Sequence, residues 1–143
     1  DVCLEVAGRT GASTLVAPSV AGVRFLGPVA DLHPLYDAAR LFIAPTRFAA
    51  GIPIKVLEAA AHGVPVVATA LLARQLGWRN GEELLASEVS DAAGFAANIV
   101  AAYTHPELWT RLRRGALARI ERDSSPERFR KVLVGAVRGL EQD

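Results

Sequence analysis

A chain of 143 residues, 51% of them hydrophobic and 22% charged, is long enough for one domain with a real core, and its balance excludes disorder. A net charge of +1 gives no basis for binding nucleic acid. No uninterrupted run of 18 apolar residues is present to span a membrane, and Cys3 alone cannot form an intrachain disulfide. No signal peptide is expected at the start, so the expected location is cytoplasmic, with peripheral membrane attachment of a full-length protein left open.

Val2–Val6 reads as a strand entered almost at residue 1, with Cys3 a small core residue in it. Ala7–Ala12 reads as a glycine-containing loop and Ser13–Val20 as a short or irregular connection. Ala21–Gly27 carries the next strand, centred on Val23–Leu26 and ended by Gly27-Pro28. A helix follows from about Leu32 to Ala39, with Pro34 in its first turn and Leu35, Tyr36 and Ala39 inward. Leu41–Ala44 and Val64–Ala68 are short continuous apolar runs, the pattern of parallel strands covered on both faces. Leu71–Gly77 reads as a connection, with room for a helical turn, Trp78–Gly81 as a turn, and Glu82–Ala86 as a weaker last strand near an edge.

Ser90 or Asp91 is placed to cap a helix running to about Tyr103, with Ala93, Phe95, Ala96, Ile99, Val100 and Tyr103 inward. Pro106 opens another helix, to about Glu121, and Ser125-Pro126-Glu127 opens a third, to about Leu140. Strands alternating with helices, and helices collected at the end, predict an α/β fold: a doubly wound parallel sheet with C-terminal helices. Arg111, Arg113, Arg114, Arg119, Arg128, Arg130 and Lys131 are interleaved with acids and aliphatics and read as solvated helix faces, not a nucleic-acid stripe. His33, His62 and His105 show no ligand spacing, so no metal site is expected.

The stretch Pro45–Thr69, PTRFAAGIPIKVLEAAAHGVPVVAT, carries the densest signal. It reads as a strand end, a small-residue loop, a short helix and the next strand. Ala49, Ala50 and Gly51 leave room for a close approach to the backbone. Pro53 suits a first helical turn, and Gly63 suits the left-handed position just past a helix end. Within the helix only Lys55, Glu58 and His62 are polar, within about 60° of one another. A helix apolar nearly all round is expected to be buried nearly all round. Two readings of the stripe stay open: a solvent strip with a Lys55–Glu58 pair, or the mouth of a pocket where the loop N–H groups and the helix start face an anion.

The pattern P-x-R-x-x-x-G-x-x-x-K-V-L-E-A-x-A-x-G-x-P-V-V-A-T resembles the signature of the nucleotide-sugar-binding domain of retaining GT-B glycosyltransferases, the glycosyl transferases group 1 family. FLGPVADLHPLYDAARLFIAP before it, and the segment from Asn80 to Ile120 after it, are similar to the flanking elements of that domain. The resemblance covers about Val2 to Val134. It implies that Glu58 hydrogen-bonds the ribose hydroxyls, as the second glutamate of the family's E-x7-E motif, a task suited to a carboxylate that can accept from two vicinal hydroxyls. The first glutamate of that motif would fall at Ala50, a departure that removes a donor-sugar contact. Gly51 and Ile52 would give backbone N–H groups to the diphosphate, with Arg47 and Lys55 as cations beside it, and Val29 and Asp31 would frame the nucleobase. Asp31 reads equally as a cap of the helix that follows.

The implied function is transfer of a sugar from a nucleotide diphosphate sugar, without metal or other cofactor, to a glycan or lipid acceptor held by an N-terminal domain. No residue is assigned to catalysis. The family's domain has a strand, a basic loop and a helix before the first strand read here, so residues 1–143 are expected to form a single partial domain. Such a fragment would be inactive alone and would self-associate through an open sheet edge. Two other classes of function remain: a sugar-nucleotide epimerase of the same architecture, and a non-catalytic nucleotide-binding or interaction module.

Overall fold

Among the described residues five strands and six helices follow one another, with helices between β2 and β5 and three helices at the end, and every strand pairing is parallel. The structure, a computed structural model, describes residues 2–8 and 20–140, and the side chains of 136–140 are not among those described. Most of the expected loop and connection between the first two strands lies outside these residues. The chain forms two units, Asp1–Leu35 and Tyr36–Asp143, described separately below.

In the first unit, β1 (Leu4–Ala7) pairs with β2 (Val23–Gly27), with Leu4 opposite Val23. Glu5 lies opposite Arg24, and the two side chains form an ion pair across the strands. The register shifts between Val6 and Ala7, so that Ala7 faces Gly27. Cys3 is exposed, which corrects its expected place in a core. The helix α1 (His33–Ala38) contains the boundary between the units in sequence.

The second unit holds β3 (Phe42–Ala44), β4 (Val66–Thr69) and β5 (Leu85–Ser87), in the order β3-β4-β5. Every residue of β4 is buried, as the central strand of a parallel sheet should be. Val67 and Leu85 join Ala102 and Leu112 in the core, with Leu41, Ile43, Phe95, Ile99 and Leu108 packed around them. The helices are α2 (Ile54–Ala61), α3 (Ala70–Leu76), α4 (Ala92–Thr104), α5 (Pro106–Ser124) and α6 (Pro126–Leu140).

Glycine ends two of these helices in the same way. Gly63 (φ 71°) sits just past α2, its N–H on the Ala60 carbonyl at 2.9 Å and the Val64 N–H on Ala59 at 2.9 Å. Gly77 (φ 62°) repeats this after α3, with Gly77 on Arg74 and Trp78 on Ala73. Both are Schellman motifs, which satisfy the last helical carbonyls through a left-handed residue. The Asp91 carboxylate accepts from the Gly94 N–H at 2.8 Å and so caps α4.

Four expectations change. Leu71–Gly77 is not a connection: Ala70–Leu76 is a two-turn helix, built from good helix formers and stopped by Gly77. The last strand is Leu85–Ser87, because Glu82 and Glu83 are taken by a turn in which their N–H groups reach the Arg79 carbonyl. In α4 the inward face is Phe95, Asn98, Ile99 and Ala102, while Ala93, Ala96 and Val100 are exposed. At 100° per residue these are two separate faces, and the sheet can cover only one. The fourth concerns the arginines of α5. Arg119, only 18% exposed, donates to the Gly77 carbonyl at 2.9 Å and lies 3.9 Å from Glu83. Arg111 donates to the Gly81 carbonyl, and Arg113 lies over the Trp109 ring. Arg119 is thus a tie within the fold, while Arg111 and Arg113 remain exposed as expected.

Candidate functional site

Pro45–Pro53 leaves the C-terminal end of β3, the end at which parallel α/β sheets bind ligands. Two side chains anchor it. The buried Thr69, at the end of β4, donates its hydroxyl to the Thr46 carbonyl at 2.9 Å, and Gln75 of α3 donates to the Ala49 carbonyl at 3.0 Å. Between these anchors Arg47 is exposed and Phe48 is 89% exposed.

The loop then turns into α2 through Gly51, whose φ of 86° is the reason for glycine there. A Cβ built at Gly51 would meet nothing within 4 Å, so the backbone there stands in open space. The Ile54 N–H closes on the Ile52 carbonyl at 2.9 Å, and the Val56 and Leu57 N–H groups share the Pro53 carbonyl. Among the described residues the N–H groups of Gly51 and Ile52 meet no backbone acceptor. Both residues are exposed, so these donors face solvent ahead of the positive end of a helix.

The helix buries one face, through Val56, Ala59 and Ala60, rather than its whole circumference. Ile54, in the first turn, is 62% exposed, and Ala61, in the last, is exposed as well. Glu58 is likewise exposed, not buried, about one turn, roughly 6 Å, along the axis from Ile54. Lys55 and Glu58 do not pair. Among the described residues neither Arg47 nor Lys55 forms an ion pair, whereas Glu58 takes the hydroxyl of Tyr36 on its Oε2 at 3.2 Å.

Tyr36 itself is 7% exposed. Its ring stacks on His62, with centroids 5.1 Å apart, and tilts against Phe42. His62 Nδ1 lies 2.8 Å from the Asp37 carboxylate. Burial, then the hydrogen bond and negative charge of Glu58, push the Tyr36 hydroxyl up to about 12, so it remains a donor at any ordinary pH. The polar stripe of α2 is therefore held from α1 by two side-chain pairs.

Gly51, Ile52, Lys55 and Glu58 thus lie together on the loop exit and first turns of α2, with Arg47 on the same loop. Val29 and Asp31 belong to the first unit. There the Asp31 carboxylate accepts from the His33 N–H at 3.0 Å at the start of α1, and Val29 is half-buried. The sequence reading overlooked Tyr36, Asp37, Thr69 and Gln75 as parts of this site. Only Thr69 carried a signal, a lone polar residue ending a buried apolar strand. Among the described residues no cluster of three or more His, Cys, Asp or Glu side chains could hold a metal ion.

The family model described as "Glycosyl transferases group 1" matches residues 1–105. Comparison with curated protein sequences gives no match. Among solved structures, sucrose-phosphate synthase from Thermosynechococcus elongatus aligns with a TM-score of 0.71 at 24% identity, over 85% of this chain and 31% of that one. HepE from Anabaena, in complex with UDP-glucose, aligns with a TM-score of 0.73 at 19% identity, over 83% of this chain and 33% of that one. The C-terminal domain of a glycosyl transferase group 1 family protein, LpcC, from Francisella tularensis gives 0.64 at 18% identity, over 73% of this chain and 55% of that one. The chain spans about a third of the length of the first two. At such identities the likeness shows a shared α/β fold.

Proposed function

The chain belongs to the glycosyl transferases group 1 family, and we propose that it is the donor-binding part of such an enzyme, a partial domain that grips a nucleotide diphosphate sugar. The observation that carries this reading is the start of α2. Two solvent-facing backbone N–H groups, an open approach at Gly51 and an exposed carboxylate one turn further on sit on one short segment. That spacing suits a diphosphate at the N–H groups and a ribose at Glu58. Arg47 and Lys55, free of ion pairs among the described residues, would lie beside the phosphates.

In this reading Gly51 and Ile52 donate to a diphosphate oxygen, and the α2 dipole adds to them. As the bond to the sugar breaks, negative charge gathers on the leaving phosphate. Fixed donors aimed at that charge lower the barrier without a metal ion. Glu58 fixes the nucleoside by accepting from both ribose hydroxyls. Ala50 offers no carboxylate to the donor sugar, so orientation of the sugar falls to groups outside this loop. The acceptor, a glycan or a lipid, is held by an N-terminal domain of a longer protein, and transfer proceeds with retention.

The complex of HepE with UDP-glucose supports a nucleotide sugar as the ligand class. Calorimetric titration of the chain and of Glu58→Ala with UDP, GDP and ADP tests the reading. One nucleotide is expected to bind the parent chain and to lose most of that affinity in the variant. Equal binding by both chains would contradict it.

A further inference from the structure

Glu58 is exposed, yet its carboxylate does not swing freely: the Tyr36 hydroxyl holds Oε2 at 3.2 Å. Tyr36 is a rigid support, 7% exposed, packed between the His62 ring at 5.1 Å and the Phe42 ring at 5.9 Å. His62 is in turn tied to Asp37, one residue along α1. Glu58 and His62 are four apart and lie on one face of α2, so α1 holds that face at two points. The hydroxyl can donate but has no reason to ionise, since burial and the neighbouring carboxylate push it up to about 12.

We propose that Tyr36 is a positioning residue for nucleotide binding, fixing the Glu58 carboxylate through Oε2 so that Oε1 and the remaining lone pair of Oε2 face the two ribose hydroxyls. This rests on the assignment of Glu58 to the ribose. A glutamate on an uncovered helix face samples several rotamers, and a ligand must otherwise freeze them at a cost in affinity. A buried phenol that selects one rotamer removes that cost before the nucleotide arrives. The contribution therefore appears only with ligands that carry the hydroxyls.

The test compares each ribonucleoside diphosphate (UDP, GDP and ADP) with its 2′,3′-dideoxy counterpart, on the parent chain, Tyr36→Phe, Glu58→Ala and the double variant. For the nucleotide that binds, the parent chain should prefer the ribo form. Tyr36→Phe should lower ribo affinity roughly 3- to 10-fold, the range of one ordinary hydrogen bond, and leave dideoxy affinity unchanged. In the Glu58→Ala background the same change should have no effect. A second replacement, Tyr36→Met, fills the space without a hydroxyl and should give the same loss, which keeps the test decisive if the phenylalanine chain does not fold. If Tyr36→Phe and Tyr36→Met weaken both forms equally, or neither, Tyr36 is only a packing residue and the proposal is overturned, while a ribo preference lost in Glu58→Ala leaves the ribose assignment standing. If the parent chain shows no ribo preference, the ribose assignment itself has failed and this proposal with it.

Discussion

Two polar regions of the second unit use charge in opposite ways. Along α5 the charges are spent on the protein itself. Glu83, 4% exposed, takes the Arg79 N–H at 2.7 Å and its guanidinium at 3.1 Å, with Arg119 at 3.9 Å. Arg119 also caps the end of α3 and pairs with Asp123, and Arg40 lies between Tyr103 and Trp109 while donating to the Tyr103 carbonyl. At the start of α2 the groups stand open, with two N–H groups lacking backbone acceptors, Arg47 and Lys55 outside any ion pair among the described residues, and one carboxylate held by a tyrosine. Both regions carry cations and a carboxylate. What separates them is whether the protein supplies the partner, and open polar groups beside a strand's C-terminal end are where an outside ligand gains most.

The contrast is sharpest under mutation. Arg119→Ala strips a carbonyl cap and one of two cations near the buried Glu83, which keeps its hydrogen bonds from Arg79, and a cost of about 1.5–3 kcal/mol is expected in urea melts. Nucleotide affinity should be untouched. Glu58→Ala should do the reverse, weakening nucleotide binding by about 1.5–3 kcal/mol, the range for hydrogen bonds to a charged group, at a stability cost of about 1 kcal/mol from the Tyr36 hydroxyl that loses its acceptor. A variant that moved both quantities equally would erase the distinction.

Arg47→Ala and Lys55→Ala should each leave stability within about 0.5 kcal/mol. Each should lower diphosphate affinity by about 0.5–1 kcal/mol at low salt, an effect that shrinks as ionic strength rises. Calorimetry at two salt concentrations reads this directly.

The smallest effect belongs to acid. Hydrogen bonds from Arg122 and then Arg119 hold Asp123 at about 2, below its ordinary range. A carboxyl depressed in the folded chain stabilises it fully above the unfolded value of about 3.9, and that contribution is lost as pH falls through about 2. Glu83 acts in the same direction: burial pushes it up, but the N–H and guanidinium of Arg79 and the charge of Arg119 more than offset this. Asp123 lies at the surface, so its share is expected below about 1 kcal/mol. Thermal melts between pH 5 and 2 should show a shallower decline in Asp123→Asn than in the parent chain.

The backbone plan is legible in the sequence because its signals are local. Short apolar runs gave β3 and β4 to within a residue or two, and Pro106 and Gly63 marked helix ends by chemistry that acts over a few residues. α3 is not legible because ALLARQL is short and Gly77 after it suits a loop as well as a helix end. Side-chain partnerships were not legible. Tyr36 and Glu58 are 22 residues apart, Arg119 and Gly77 are 42 apart, and Trp109 donates to a carbonyl 69 residues away. Nothing in local spacing distinguishes an arginine that will cap a distant helix from one left for a ligand. The family resemblance named Glu58 and the loop, but not the tyrosine that holds the glutamate or the Thr69 and Gln75 that hold the loop.

The central claim is that the open groups at the start of α2 are there for a nucleotide diphosphate. Titrating the chain with UDP, GDP and ADP while following backbone amide shifts tests it most directly. For residues 1–143 alone, Kd is expected on the order of 1 mM, about 4 kcal/mol. The account predicts shifts centred on Gly51–Glu58. Micromolar binding centred on other residues, or shifts along α5 with none at Gly51, would contradict it.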